Sequence, residues 1–372
     1  MPVFVATTQR GLGAALAEEI SSLGGRVVKS NDRQVQFESN WKICYKINMG
    51  CSIASRILLT ILDFNVYKPD DLYHHLQQHD FTKYIRPDQT LKVSAKVTNS
   101  HAFRDQRFLA QKTKDAIVDQ FMDKYDQRPD VDNENPSLTI VIKMVDTKVS
   151  VALDTSGNPL FQRGYRRKQA EASMKENLAS GIVRASSWKQ SANLYDPMCG
   201  AGTILIEAAR WAKKMYPGLH RRFAFEHWKT FQHDAYEEVF QELRNEECST
   251  PLRFFGYDID SRAIEMARDN AKAAGVDDVV EFKQLAIKDF KAFEEKATVI
   301  TNPPYGERLG TVEELMDFYN QLGEIFYQLK NWDLWILSGN KDLPAKMRLK
   351  AQHRLPVWNS EIECKFLHYP IY

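Results

Sequence analysis

Three short strings bring together residue types that could do chemistry. The first is Asp196-Pro197-Met198-Cys199-Gly200-Ala201-Gly202-Thr203, which follows an apolar run and opens one with helical spacing. A strand-to-helix turn bends sharply, and glycine permits both the backbone angles and the close approach of a ligand. The start of the helix then offers free N–H groups to a polar ligand. This is not the turn of dinucleotide folds: only Gly200 and Gly202 are present, and an acid precedes them. The second string, Phe255-Gly256-Tyr257-Asp258-Ile259-Asp260, ends the next strand. An acid at that point can accept two hydrogen bonds from ribose hydroxyls, which is the role given to Asp258; Asp260 suits the cap of the helix that follows. The third and most specific string is Thr301-Asn302-Pro303-Pro304-Tyr305-Gly306. Two consecutive prolines fix φ and cannot donate. They freeze a loop beyond the carboxyl edge of the sheet, where ligands bind in open α/β folds. The Asn302 amide oxygen and the Pro303 carbonyl are two acceptors for the two hydrogens of an exocyclic amine. Held that way, the nitrogen lone pair turns out of conjugation. Tyr305 offers a flat face on which a base can stack.

A leading acid, a second-strand acid and no third glycine make the pattern of an S-adenosylmethionine site. The chemistry is then methyl transfer to a primary aromatic amine, driven by positioning and electrostatics. It needs no metal and no covalent intermediate. Cys199 could serve as a nucleophile in C5-pyrimidine chemistry, but it lies in the glycine turn and not in the proline loop, so a small packing residue is the expectation. His74, His75 and His79 have no carboxylate cluster near them to complete a metal site and read as a polar helix face. No metal site is expected.

The elements that must position these strings fall into two styles. Residues 2–64 read as strand, helix, strand, strand, helix, strand, the order of a ferredoxin-like unit. Pro69-Asp70-Asp71 opens a second α+β unit with a helix at 70–79, a strand at 90–100, a helix at 104–125 and two strands within 138–157. From about residue 160, strands alternate with longer helices, as in a doubly wound α/β domain. An aromatic insertion of about 40 residues, from Trp211 to Thr250, interrupts it; a small core of its own is the expected arrangement. The expected domains are residues 1–65, 66–157 and 158–372. Up to Lys168 there are 24 Lys and Arg against 19 Asp and Glu, and beyond it 26 against 30. A basic front on an acidic back fits polyanion docking in front and small-molecule chemistry behind. Arg104, Arg107 and Lys112 on the front helix, and Arg163, Arg166 and Arg167 between the halves, are the expected phosphate contacts. Five scattered cysteines without a CxxC pair fit a reducing cytoplasm. No run approaches a membrane span, so no membrane partner is expected.

The strings DPMCGAGTILIEAA (196–209) and NPPYGERLG (302–310), with LFQRGYRR (160–167) and SMKENLASGI (173–182) ahead of them, are similar to those of class I methyltransferases acting on guanine N2 of RNA. The front half resembles that family's ferredoxin-like region plus THUMP domain, an RNA-binding module. The resemblance implies a Rossmann-like methyltransferase domain, S-adenosylmethionine as donor, and N2-methylguanosine in 23S ribosomal RNA as product. It implies Asp196, Pro197, Gly200, Gly202, Thr203, Asp258, Ile259 and Asn302 at the cofactor, and Asn302, Pro303 and Tyr305 at the base. Asp289 would touch the adenine amino group, although Ala286 stands near the place where the family carries an acid. Lys175, Glu176 and Asn177 would sit beside the methionine end. Three alternatives stay open: the same chemistry on transfer RNA, another amino acceptor such as adenine N6 or a glutamine amide, and a non-catalytic RNA-binding or assembly factor with a methyltransferase fold.

Overall fold

A computed structural model describes residues 1–166, 174–304 and 311–372. The front half runs β1 (Val3–Thr7), α1 (Gly13–Ser22), β2 (Arg26–Ser30), β3 (Gln34–Glu38), α2 (Trp41–Gly50), β4 (Arg56–Asn65), α3 (Pro69–Gln77), β5 (Thr90–Thr98), α4 (Gln106–Tyr125), β6 (Asp130–Val131), β7 (Leu138–Val145) and β8 (Lys148–Asp154). Its strands form one eight-stranded sheet in the order β2-β3-β1-β4-β8-β7-β5-β6. The two units read from the sequence therefore share a sheet. The ten-residue β4 is the seam. It pairs antiparallel with β1 on one edge and with β8 on the other, from Leu58↔Asp154 to Asn65↔Lys148. Alternation puts Val149, Val151 and Leu153 of β8 into the core beside Ile140, Ile142 and Met144 of β7.

The back half runs α5 (Glu176–Ala185), β9 (Leu194–Asp196), α6 (Thr203–Ala212), α7 (His233–Asn245), β10 (Phe254–Asp258), α8 (Ser261–Ala274), β11 (Val280–Gln284), β12 (Thr298–Thr301), α9 (Val312–Tyr327), β13 (Asp333–Ser338), α10 (Leu343–Lys346), β14 (His353–Asn359) and β15 (Ile362–Pro370). Its sheet has the order β11-β10-β9-β12-β13-β15-β14. The strands from β11 to β13 are parallel, and β15 and β14 run antiparallel to their neighbours. Strand order reverses between β9 and β12, which opens a crevice at their carboxyl ends. Helices cover both faces, so β9 and β12 are buried along their whole length.

The aromatic insertion does not form a separate core. It packs on α2 of the front unit: the Tyr45 ring lies 4.7 Å from Phe225 and 5.8 Å from Phe231 and Tyr236, and Trp41 lies 6.0 Å from Trp228. Aromatic area of this size is worth more against a neighbouring apolar helix than in a cluster half open to water. No helix among the described residues is long and apolar enough to cross a membrane.

Candidate active site

A cavity of about 1060 Å³ opens at the crevice between β9 and β12. Asp196, Pro197, Gly200, Thr203, Asp258, Ile259, Asn302 and Pro303 line it, so three strings spread over more than 100 residues of chain converge as their chemistry requires. Asp196 ends β9 and is 1% exposed. Its Oδ1 accepts from the Thr301 hydroxyl at 2.7 Å and from the Met198 N–H at 3.2 Å. Burial pushes its carboxyl up to about 7; the hydrogen bonds oppose that rise and the nearby Asp258 charge adds to it. The folded protein therefore keeps the proton that the unfolded chain releases near pH 4. This contribution is present below that pH and is lost as the pH rises toward 7. The unfolding temperature of wild type should therefore fall relative to that of Asp196→Asn between pH 4 and pH 7; paired thermal melts across the range check it.

Asp258 ties the neighbouring strand to the glycine turn. Its Oδ2 accepts from the Gly200 N–H at 2.9 Å and its Oδ1 from the Asp260 N–H at 3.0 Å. Asp260 caps α8 through the Arg262 N–H at 2.9 Å, as its type and position predict. The two glycines differ. Gly200, at φ +51°, has open space where a side chain would be, on the cavity side. Gly202, at φ +79°, is not among the cavity residues; a Cβ there would stand 2.5 Å from the Phe282 ring. Its place in the pattern reflects helix–strand packing. Gly202→Ala should destabilise the protein by about 2 kcal/mol, from the strained φ and the overpacked ring together; chemical denaturation measures it.

Asn302 follows β12 and lines the cavity, and its Oδ1 is buried without a hydrogen-bond partner among the described residues. A buried acceptor left unmade costs about 1–3 kcal/mol, and a ligand that donates to it recovers that energy. The corner is braced from behind by Tyr319 of α9, whose hydroxyl donates to the Pro304 carbonyl at 3.2 Å. Tyr305, expected as the stacking face, lies outside the described residues. Cys199 is buried and its thiol is pushed well up by desolvation and two nearby carboxylates, which fits a packing residue and not a thiolate. All five cysteines are free thiols.

Other expected site residues fall elsewhere. Asp289 ends a single turn, Ile287–Asp289, that points it into solvent; Ala286, Ile287 and Lys288 take that wall instead. Lys175, Glu176 and Asn177 do not line the cavity, but Met174 does. Glu176 pairs with Arg166 at 3.4 Å, and Asn177 donates to the Ser55 hydroxyl of the front unit at 3.0 Å. Two of the linker arginines expected at phosphates, Arg163 and Arg166, are buried in internal contacts instead. The Arg163 side chain is 1% exposed and donates to the Leu160 and Ser52 carbonyls. Arg166 is also largely covered and bonds the Met174 carbonyl and the Thr203 hydroxyl. Both side chains pack between the halves, reaching Ser52 of the front unit and Glu207 and Thr203 of the back, where exposed phosphate contacts were expected. Arg167 lies outside the described residues. Arg104 and Arg107 are exposed beside the start of α4, and Lys112 is partly so. Among the described residues no cluster of His, Cys, Asp or Glu could hold a metal.

The far wall of the cavity was not legible in the sequence. Phe318 and Gln321 come from α9, and Asn359, Ser360 and Ile362 from the turn between β14 and β15. No motif marks them, because the hairpin reads only as alternating residues after the last parallel strand.

Residues 163–368 match the RMKL-like methyltransferase domain, residues 67–154 the THUMP domain and residues 3–58 the RlmL ferredoxin-like domain. Ribosomal RNA large subunit methyltransferase K/L from Shewanella amazonensis is 35% identical over 376 residues, covering 99% of this chain and 53% of that protein. The chain thus spans about half the length of that curated relative. A possible methylase from Clostridium difficile 630 superposes with a TM-score of 0.92 at 31% identity, covering 100% of this chain and 98% of that one. The putative methyltransferase SMU.472, solved as a complex with SAH, gives 0.92 at 30% identity with the same coverage. An α/β fold with ferredoxin-like and THUMP domains ahead of a Rossmann-like methyltransferase domain is what the sequence led one to expect, and the chain belongs to the RMKL-like methyltransferase family.

Proposed function

We propose that this protein is an S-adenosylmethionine-dependent RNA methyltransferase that modifies the exocyclic N2 amine of a guanosine in 23S ribosomal RNA. One observation carries the reading: the buried, unpartnered Oδ1 of Asn302, on a proline-stiffened corner beside a large cavity. The residues present fit the donor. The cavity has room for a nucleoside and a base, Gly200 leaves its side open, and Asp258 stands at the end of the second strand to accept from ribose hydroxyls. S-adenosylmethionine supplies an electrophilic methyl carbon. Asn302 and Pro303 hold the two amine hydrogens so that the nitrogen lone pair faces that carbon, and Tyr305 stacks on the base. Pro197, Thr203 and Ile259 complete the donor's walls. The relative named as a large-subunit ribosomal RNA methyltransferase supports that RNA class, and the relative solved with SAH supports the donor.

In this reading residues 1–65 and 66–157 grip folded RNA by shape and phosphate, with Arg104, Arg107 and Lys112 among the contacts. Residues 158–372 carry the chemistry, on a guanine unstacked into the pocket. The setting is the cytoplasm. Mass mapping of methylated nucleosides in ribosomal and transfer RNA, from cells with and without the gene, tests it. Loss of N2-methylguanosine from 23S RNA is the expected result. Loss from transfer RNA alone would move the substrate, and an unchanged map would reject the activity.

A further inference from the structure

The cavity extends to both sides of β12. On one side stand the ends of β9 and β10, with Asp196, Gly200 and Asp258. On the other, toward β13, β15 and β14, stand Phe318, Gln321, Asn359, Ser360 and Ile362. The Asn302–Pro304 corner lies at the divide. A nucleoside spread over the β9–β10 side leaves the second half for the acceptor. That half presents a ring, an aliphatic side chain that is 47% exposed, two amides and a hydroxyl, and none of these five side chains is ionisable. Such a lining suits an uncharged planar base with donors and acceptors along its edge, and suits a phosphate poorly.

The tip of this wall is held from the front unit. The Trp358 N–H donates to the Arg10 carbonyl at 3.0 Å. The Arg10 guanidinium lies 3.9 Å from the centre of the Trp358 ring and its Nε bonds Asp32 at 2.8 Å. Gly11, at φ +93°, sits so close under β14 that a Cβ would fall 2.0 Å from the Pro356 carbonyl oxygen. The β1–α1 loop therefore grips β14 within three residues of the cavity turn. Resting on the reading given above, we propose that the Asn359–Ile362 turn, with Phe318 and Gln321, is the subsite for the unpaired purine, and that Arg10 is its positioning residue. The unit that grips RNA then also sets the wall against which the target base is presented.

The test uses the full chain with unmodified 23S RNA as acceptor. Steady-state methylation is measured beside SAH affinity by calorimetry and RNA affinity by filter binding. Arg10→Ala should lower kcat about tenfold, since small misplacements of a reacting group are costly, with both affinities unchanged. Arg10→Lys keeps a charge beside Asp32 and should restore part of the rate. Gln321→Ala and Asn359→Ala should lower kcat/KM for RNA with SAH affinity unchanged. An unaltered kcat in Arg10→Ala, or a loss lying wholly in RNA affinity, overturns the positioning role. Full activity in both amide variants overturns the subsite. A wild-type chain that binds SAH but methylates no RNA defeats the functional reading, and this inference with it; active wild type with unaffected variants defeats the inference alone.

Discussion

Asn302→Ala should reduce turnover by about 10²–10³, the range seen when one preorganised polar contact to a reacting group is removed. The magnitude rests on preorganisation. The Asn302 oxygen is buried and unpartnered before any ligand arrives, so its desolvation is already part of the folded state. The rigid Pro303-Pro304 pair and the Tyr319 hydroxyl keep the corner from relaxing once the amide is gone. Alanine therefore leaves an amine with one acceptor and a lone pair still partly in conjugation. Single-turnover transfer of a labelled methyl group checks it, and SAH affinity measured alongside separates lost binding from lost rate. A variant that methylates at close to the wild-type rate would remove Asn302 from the chemistry.

The difference between what the sequence shows and what it hides has a physical origin. Asp196, Asp258 and Asn302 are legible because each sits where a parallel strand meets a turn, and that local event fixes which way the residue faces. The cap Asp260, which accepts from the Arg262 N–H, is legible for the same reason. Asn359 and Gln321 reach the cavity only through the packing of a hairpin and a helix far along the chain, and no local signal reports that. Gly202 misleads in a different way. The type is required, but by the Phe282 ring and not by the ligand. Asp289 shows the limit of spacing: a one-residue difference on a tight turn exchanges cavity for solvent. Tyr45 and Trp41 look like ordinary core residues of α2, and only the fold reveals that an insertion almost 200 residues later completes their packing.

Arg163 provides the sharpest contrast between a basic cluster and its surroundings. Arg163→Ala should destabilise the protein by about 3–5 kcal/mol, the cost of stripping the partner from a buried charge. The side chains of Arg163 and Glu207 are 1% and 3% exposed and stand 3.6 Å apart. Glu207 also accepts from Tyr165 at 3.0 Å and from Ser180 at 2.5 Å, so it is held in place and cannot turn out to water when the guanidinium is removed. The Leu160 and Ser52 carbonyls lose a donor as well. Ser52 belongs to the front unit, so part of the loss falls on the seam between the halves, already fastened nearby by Arg184 on Glu19 at 3.1 Å. Arg163→Lys keeps the charge but not the fork, and should cost less, about 1–2 kcal/mol. Arg107 is the counterpart, at 90% exposure on α4. Its alanine variant should leave stability within about 0.5 kcal/mol and lower the slope of RNA affinity against salt by about one. Denaturant titrations and salt-dependent RNA binding of the two variants should therefore move in opposite columns. If Arg163→Ala lost RNA affinity at unchanged stability, the segment would be an exposed phosphate clamp after all, and the buried Glu207 pairing would not describe the protein in solution.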